Sequence, residues 1–122
     1  MPREMPKFPK SSPETVERFR TVMDRHGAPD VIRKQMFGYP AAWVGGNILT
    51  GLFGDEWWVR VSDEDRADLL AMSGAHPLEI MPGKAMGASI VVPPEVVADD
   101  ARLDPWLDKA IDFARTLPPK AK

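Results

Sequence analysis

The chain has 122 residues, a length typical of a single domain. Apolar residues make up 43% of it and charged residues 28%, as in ordinary globular proteins, and 16 Lys and Arg against 18 Asp and Glu give a net charge of −2. The chain has no cysteine, which excludes thiol catalysis, disulfides and cysteine-ligated zinc or iron–sulfur sites.

The N-terminal segment interleaves prolines with charged residues and lacks the apolar stretch of a secretory signal. We expect residues 1–10 to form a flexible lead and residues 11–120 to form a single domain. No apolar run approaches the roughly 20 residues that a membrane-spanning helix needs. We therefore expect a cytoplasmic protein that does not enter a membrane.

The first helix is predicted over residues 13–26. Either Ser11 or Ser12 can cap it, with Pro13 in the first turn, and Gly27 ends it. Its charged residues, Arg18 among them, are expected to face water. The apolar residues recur at helical spacing and are Val16, Phe19, Val22 and Met23.

The pattern then changes to that of short strands joined by tight turns. Gly45-Gly46-Asn47 is a strong turn signal, and connections this short force neighbouring strands to be antiparallel. Alternation along the last strand of this group places Trp57 and Trp58 on opposite faces of the sheet. The predicted strands are residues 31–37, 40–45, 47–53 and 56–61.

A second helix is predicted from Ser62 to Gly74, with three carboxylates in its first turn. Its buried side is assigned to Ala67 and Leu70, joined by Leu69 or Met72. Two strands at 78–81 and 88–92 follow, separated by a loop over Met81–Gly87 that is too long for a tight hairpin, and Pro93-Pro94 ends the second of them. The last helix begins at Asp100 or at Asp104-Pro105 and ends before Pro118-Pro119.

These elements predict an α+β fold. We expect a two-layer sandwich of a five- or six-stranded antiparallel sheet with three helices, in the order α-β-β-β-β-α-β-β-α. The helices are expected to pack on one face of the sheet. The other face must then be polar or be covered by a partner.

No pattern predicts catalysis. None of the serines lies in a G-x-S-x-G motif, and the two histidines, His26 and His76, are far apart in the sequence. The acidic run over 63–65 is better explained by compensation of the helix dipole than by a metal site. We therefore expect a protein without catalytic residues, metal or cofactor.

Charge is unevenly distributed along the chain. Residues 1–40 carry eight Lys and Arg against five Asp and Glu, whereas residues 41–100 carry three against ten. A binder of nucleic acid needs a basic stripe on its folded face. The acidic centre of the chain therefore argues against direct binding of nucleic acid.

A contact surface for a protein partner, or for a second copy of the chain, is the remaining hypothesis. Trp58 would lie on the sheet face without helices, and a homodimer through that face would hide its indole. Methionines in the same region suit adaptable contacts. The hypothetical contact residues are Arg33, Lys34, Met36, Phe37, Trp58, Arg60, Lys84 and Met86.

Several of these stretches, taken together, form a recognisable pattern. Lys34-Gln35-Met36-Phe37-Gly38, the glycine turn with Asn47, Met81-Pro82-Gly83-Lys84-Ala85-Met86 and Val92-Pro93-Pro94 follow one another at characteristic spacing. In this order they resemble the TfoX N-terminal domain family, also called TfoX/Sxy. Trp106 and Leu117-Pro118-Pro119-Lys120 fit its short stand-alone members, and the resemblance covers roughly residues 12–120.

The resemblance implies an α+β fold with a five- or six-stranded antiparallel sheet and no established catalytic residues. It also implies a regulatory role, since the family is named after longer bacterial regulators of DNA-uptake competence that have a second, C-terminal domain. Our first hypothesis is a non-enzymatic regulatory or protein-interaction domain. The alternatives are a small-molecule-binding protein or minor enzyme with a pocket under the Met81–Gly87 loop, and a DNA-associated transcriptional regulator.

Overall fold

The computed structural model describes residues 10–36, 38–81 and 84–118, without the side chains of residues 79–88. None of the helices in these ranges is long and apolar enough to span a bilayer. The elements in chain order are α1 (Pro13–Arg25), β1 (Val31–Met36), β2 (Tyr39–Val44), β3 (Asn47–Phe53), β4 (Glu56–Arg60), α2 (Asp63–Leu70), β5 (His76–Met81), β6 (Lys84–Val91), α3 (Pro94–Val97) and α4 (Asp100–Thr116).

The six strands of the described chain form an antiparallel sheet in the order β1-β2-β3-β4-β6-β5. The first four strands follow one another as the predicted meander. Strand β6 lies between β4 and β5, so β1 and β5 are the two edges. The α+β class and the six-stranded antiparallel sheet are therefore confirmed.

The segment before β6 differs from its prediction. The loop expected over Met81–Gly87 is wrong, because β6 already begins at Lys84 and Met81 pairs with Lys84. Only two residues separate these partners, which is enough for a tight hairpin connection. Glycine and alanine have low strand propensity, so the local sequence does not predict a strand here. The strand forms because these residues pair with β5.

The helices differ from their predictions in two details. Pro93-Pro94 ends the sheet but also opens α3, a four-residue helix with proline in its first turn, so the described residues contain four helices where three were predicted. Helix α2 ends at Leu70, well before Gly74. Its buried residue is Leu69, whereas Leu70 is 39% exposed, so the predicted buried side of α2 was displaced by one position.

The start of α1 is fixed by the turn between β3 and β4. The Ser12 side chain caps the helix by accepting the Thr15 N–H at 3.2 Å, which settles the choice between Ser11 and Ser12. The Ser12 N–H in turn donates to the Asp55 carboxylate at 2.7 Å. This hydrogen bond and one from the Thr15 hydroxyl hold the pKa of Asp55 below its ordinary value. The chain entering α1 is thereby tied to the sheet.

Helices α1 and α4 cover the Trp57 side of the sheet. The Phe19 ring lies 4.9 Å from the Trp57 ring, centroid to centroid. Helix α4 begins at Asp100, with Asp99 as its cap and Pro105 inside it, and packs against β2, β3 and β4. Its buried stripe is Leu103, Trp106, Leu107, Ala110, Ile111 and Ala114.

The opposite face of the sheet is also closed at its centre. Ala41, Gly51, Trp58 and Val91 are successive cross-strand partners, so their side chains share this face, and all four are buried. Trp58 is only 1% exposed and lies against Gly51. The expectation that this face is polar or waits for a partner is therefore wrong at the centre of the sheet, because the chain itself encloses the indole.

One buried hydrogen-bond relay joins the Trp57 indole to the backbone of β4. The Trp57 indole N–H donates to the Thr50 hydroxyl at 2.9 Å, and that hydroxyl donates to the Trp58 carbonyl at 2.7 Å. Thr50 is fully buried, and no buried side-chain polar atom of the described residues lacks a partner. The relay satisfies the indole without water, as a buried Trp requires.

Candidate functional site

The edge strand β1 is largely exposed. Its two ends are half-buried and its four central residues are exposed, with Ile32 at 46%. In the part of the chain that the structure describes, no strand lies beyond it. Edge strands leave a row of backbone N–H and C=O groups unpaired, which makes β1 a template for pairing with another chain.

A groove runs between α1 and β1. We call it the β1 groove, and it has a volume of about 270 Å³. A second hollow of about 350 Å³ adjoins it at Val16, Gln35 and Pro40 and extends it toward Lys10 and the Tyr39 ring. Burial raises the pKa of the Tyr39 phenol. The β1 groove is lined by Val16, Phe19, Arg20, Arg33, Lys34, Gln35, Pro40 and Ala41.

The charged residues that line the β1 groove are all cations. Arg20, Arg33 and Lys34 lie there, and Lys10 lies in the adjoining hollow, whereas no described carboxylate lines either depression. Two buried apolar residues, Phe19 and Ala41, are also among its lining residues. The arrangement offers positive charge together with apolar surface beside an open strand.

The carboxylates that pair with Arg20 and Arg33 belong to α1. Arg33 Nη2 lies 2.7 Å from an Asp24 carboxylate oxygen, and its other terminal nitrogen donates to the Arg20 carbonyl at 3.3 Å. Arg20 pairs with Glu17 one turn earlier on the helix. Both ion pairs are largely exposed, and exposed pairs contribute only about 0–1 kcal/mol. A carboxylate from another molecule could therefore replace either partner at little energetic loss.

The structure brings together only part of the predicted contact surface. Arg33, Lys34 and Met36 lie along β1. Trp58 does not belong to any surface, because it is 1% exposed, and its inclusion was wrong. Arg60 is half-buried at the end of β4, which β2 and β3 separate from β1. Phe37 lies outside the described residues, and so do the side chains of Lys84 and Met86.

Six of the eight described residues that line the β1 groove were missing from the predicted contact surface, Arg20 and Val16 among them. Arg20 and Val16 belong to α1, and the helical pattern correctly exposes Arg20 but assigns Val16 to the buried stripe. Val16 is 38% exposed and lines both depressions. Helical spacing identifies the apolar side of α1. It does not show which residues on that side extend beyond the edge of the sheet, because that depends on the position of β1.

The contacts of the histidines are structural. His26 at the end of α1 has one ring nitrogen 3.0 Å from Asp104 and the other 3.2 Å from Asp108, both on α4. His76 contacts Glu56 at 3.3 Å and its neighbouring carbonyl at 3.0 Å. Among the described residues, no serine is hydrogen-bonded to a histidine, and no group of three or more His, Asp or Glu could hold a metal ion.

A row of charges joins α1 to α4. Arg18 was expected to face water, but its guanidinium donates to the Val97 carbonyl and to Asp100, the latter at 2.7 Å. Arg25 lies 2.7 Å from Asp104. Desolvation raises the pKa of Asp104, but hydrogen bonds and charge from His26 and Arg25 outweigh it and leave that pKa below its ordinary value. This row fixes α1, one wall of the β1 groove, on the helical layer.

Comparison with known protein families gives a match over most of the chain. A family model described as the TfoX N-terminal domain matches residues 25–114. The matched region begins at the end of α1, includes all six strands and ends within α4. No curated protein and no solved structure gives a significant match.

Proposed function

Because the chain belongs to the TfoX N-terminal domain family, we propose that it is a non-enzymatic regulatory domain that acts by binding another protein. The observation that carries the proposal is the exposed edge strand β1 with the cation-lined β1 groove beside it. A strand that is hydrogen-bonded on one side only, next to a groove, is the structural basis of many peptide-recognition domains.

The distribution of exposed apolar side chains supports the choice of this surface. Val16 and Ile32 are two of the three large apolar residues that are most exposed in the described chain, and both lie at α1 or β1. The third, Leu70, lies on α2. Apolar exposure beside polar rims is typical of interaction sites.

The contacts of the histidine and serine side chains, which are the groups most often used in catalysis, support the non-enzymatic part of the proposal. His26 is engaged by two carboxylates of α4, and Ser12 and Ser62 are used as helix caps. Each of these side chains has a structural task in the fold. The proposal therefore assigns the function to a surface rather than to a reacting group.

The test is differential capture of partners. The full chain is immobilised and exposed to native lysate, and the proteins retained by wild type and by Arg33→Glu are compared by quantitative mass spectrometry. We expect Arg33→Glu to lose a specific partner, because it reverses a charge that lines the β1 groove. The matched control is Arg102→Glu, which reverses an exposed charge on α4. Identical retained sets for wild type and Arg33→Glu would contradict the proposal.

A further inference from the structure

We propose that β1 binds an extended acidic segment of a partner protein as a seventh strand of the sheet, with its carboxylates over the β1 groove. The inference rests on the proposed function and adds the binding mode and the chemistry of the partner. Three features of the described chain carry it: the direction of the unpaired backbone groups, the charge of the groove and the sequence of β1 itself.

The backbone groups at the open edge can be assigned from alternation along β1. Alternate residues of an edge strand turn their N–H and C=O toward the neighbouring strand or away from it. Met36 closes the β1–β2 hairpin as a partner across a two-residue connection, so its groups face β2. Val31 instead donates its N–H to a carbonyl of the preceding turn, at 3.0 Å. Arg33 and Gln35 share the parity of Val31, and their backbone groups therefore point to the open edge.

The charge of the groove selects an acidic occupant. Three cations and no described carboxylate line it, and the competing carboxylates on α1 are held in exposed pairs. Complementary potentials of this kind increase the association rate and fix the register of a bound chain. Glutamate or aspartate at alternate positions of an added strand would meet Arg33 and the cations around it.

A second copy of the chain fits this edge poorly. Antiparallel pairing of β1 with itself near its centre would place either Arg33 opposite Arg33 or Lys34 opposite Lys34 of the other copy, because residues of the same parity lie opposite each other, and like charges directly opposite each other are destabilising. Cationic residues on an edge strand are a common means of preventing self-pairing. Nucleic acid could use the cations, but phosphates supply no alternating donors and acceptors for the backbone of β1.

The experiment measures binding of a labelled acidic peptide, about eight residues of alternating Thr and Glu, to the full chain by fluorescence anisotropy. We expect a peptide with Lys in place of Glu to bind at least about tenfold more weakly, because it carries the wrong charge. We expect a Thr–Glu peptide with every backbone amide N-methylated to lose binding, because it keeps the charge and lacks the donors for strand pairing. Equal binding of the methylated and unmodified peptides would overturn the proposal.

Protein variants test the same point from the other side. Gln35→Pro removes an N–H that points away from β2, and proline is tolerated on edge strands, so we expect the fold to persist while binding weakens at least about tenfold. Gln35→Thr keeps the N–H and is the matched control, with affinity close to wild type. Circular dichroism checks the fold of both, and the methylated peptide against wild type decides the matter if Gln35→Pro unfolds.

The outcomes separate this inference from the proposed function. If no acidic peptide binds but Arg33→Glu still loses a partner from lysate, the strand-addition mode is wrong and the interaction surface stands. If Arg33→Glu binds the peptide as tightly as wild type and retains the same proteins from lysate, both the strand-addition mode and the proposed function are wrong. If a DNA duplex of about 20 base pairs binds more tightly than the peptide and displaces it, the strand-addition proposal is overturned in favour of nucleic acid.

Discussion

Gly51 shows how closely single residues determine the packing of this sheet. A Cβ atom at this position would lie 2.8 Å from Cζ2 of Trp58 and 3.1 Å from the Pro40 carbonyl oxygen. Real Cβ contacts are longer, so a side chain at position 51 must displace the indole or the backbone of β2. The absence of a side chain at Gly51 is what allows Trp58 to lie flat enough to be enclosed.

We therefore expect Gly51→Ala to lower the free energy of unfolding by about 1–3 kcal/mol, as overpacking of a core does. Urea denaturation followed by tryptophan fluorescence measures the change. Gly27→Ala is the control, because its Cβ would meet only ordinary van der Waals neighbours, the nearest at 3.4 Å. A Gly51→Ala protein as stable as wild type would show that the indole can move freely, contrary to its enclosure.

Trp58 also marks the limit of sequence reasoning at the residue scale. Alternation along β4 correctly separates Trp57 from Trp58, because that separation depends only on the period of a strand. Whether an indole is covered depends on residues far away in the sequence, which no local pattern reports. The sequence predicted an exposed indole, but the indole is buried. The contact surface that was inferred from it is therefore assigned to β1 instead.

At the scale of elements, the row of charges between α1 and α4 makes stability depend on pH. Asp104 has a pKa below its ordinary value, so the folded state releases this proton more readily than the unfolded state. Its contribution to stability is complete above the pKa of the unfolded state and is lost as the pH falls through the lowered value. The pKa values of Asp30, through Arg115, and of Asp55, through Ser12 and Thr15, are lowered as well and act with the same sign.

We expect Asp104→Asn to lose less stability than wild type when the pH falls from about 5 to about 3, because one of the carboxylates that must be protonated is gone. The side chain of Asp104 is 35% exposed, so the difference should stay below about 1 kcal/mol. Urea midpoints measured across this pH range give the slope. Asp68→Asn is the control, because it removes an exposed carboxylate of α2 that lies outside this row of charges. Parallel slopes for wild type and Asp104→Asn would contradict the assignment.

Element boundaries were predictable where the chain carries its own signal. The glycine turn before Asn47 and the cap of Ser62 lie where the sequence puts them, and the Ser12 cap is one of the two that the sequence allows, because each acts within a few residues. Strand β6 was predicted to begin later, since its first residues gain order only from β5. The β1 groove could not be predicted either, because it exists only where α1 and β1 meet.

At the scale of the whole molecule, the burial of Trp58 within a single chain changes the driving force for self-association through that face of the sheet. A dimer through the face of Trp58 would have been driven by hiding an exposed indole, but that indole is already 1% exposed in a single chain. Burial by a second copy could add almost nothing at this position, since the hydrophobic contribution scales with the area removed from water. The argument for a homodimer through this face therefore loses its driving force.

The two readings of Trp58 predict different outcomes for Trp58→Ala. A core residue of this size should lower the free energy of unfolding by about 3–5 kcal/mol when truncated, whereas a dimer contact should weaken association and leave the single chain intact. We expect the first result, measured by urea denaturation, with no change in sedimentation behaviour across protein concentration under conditions where the variant is folded. Ile32→Ser, at an exposed position of β1, is the control and should change stability by no more than about 0.5 kcal/mol. A Trp58→Ala protein with wild-type stability and weaker self-association would restore the sheet face as a dimer interface and would move the functional surface away from β1.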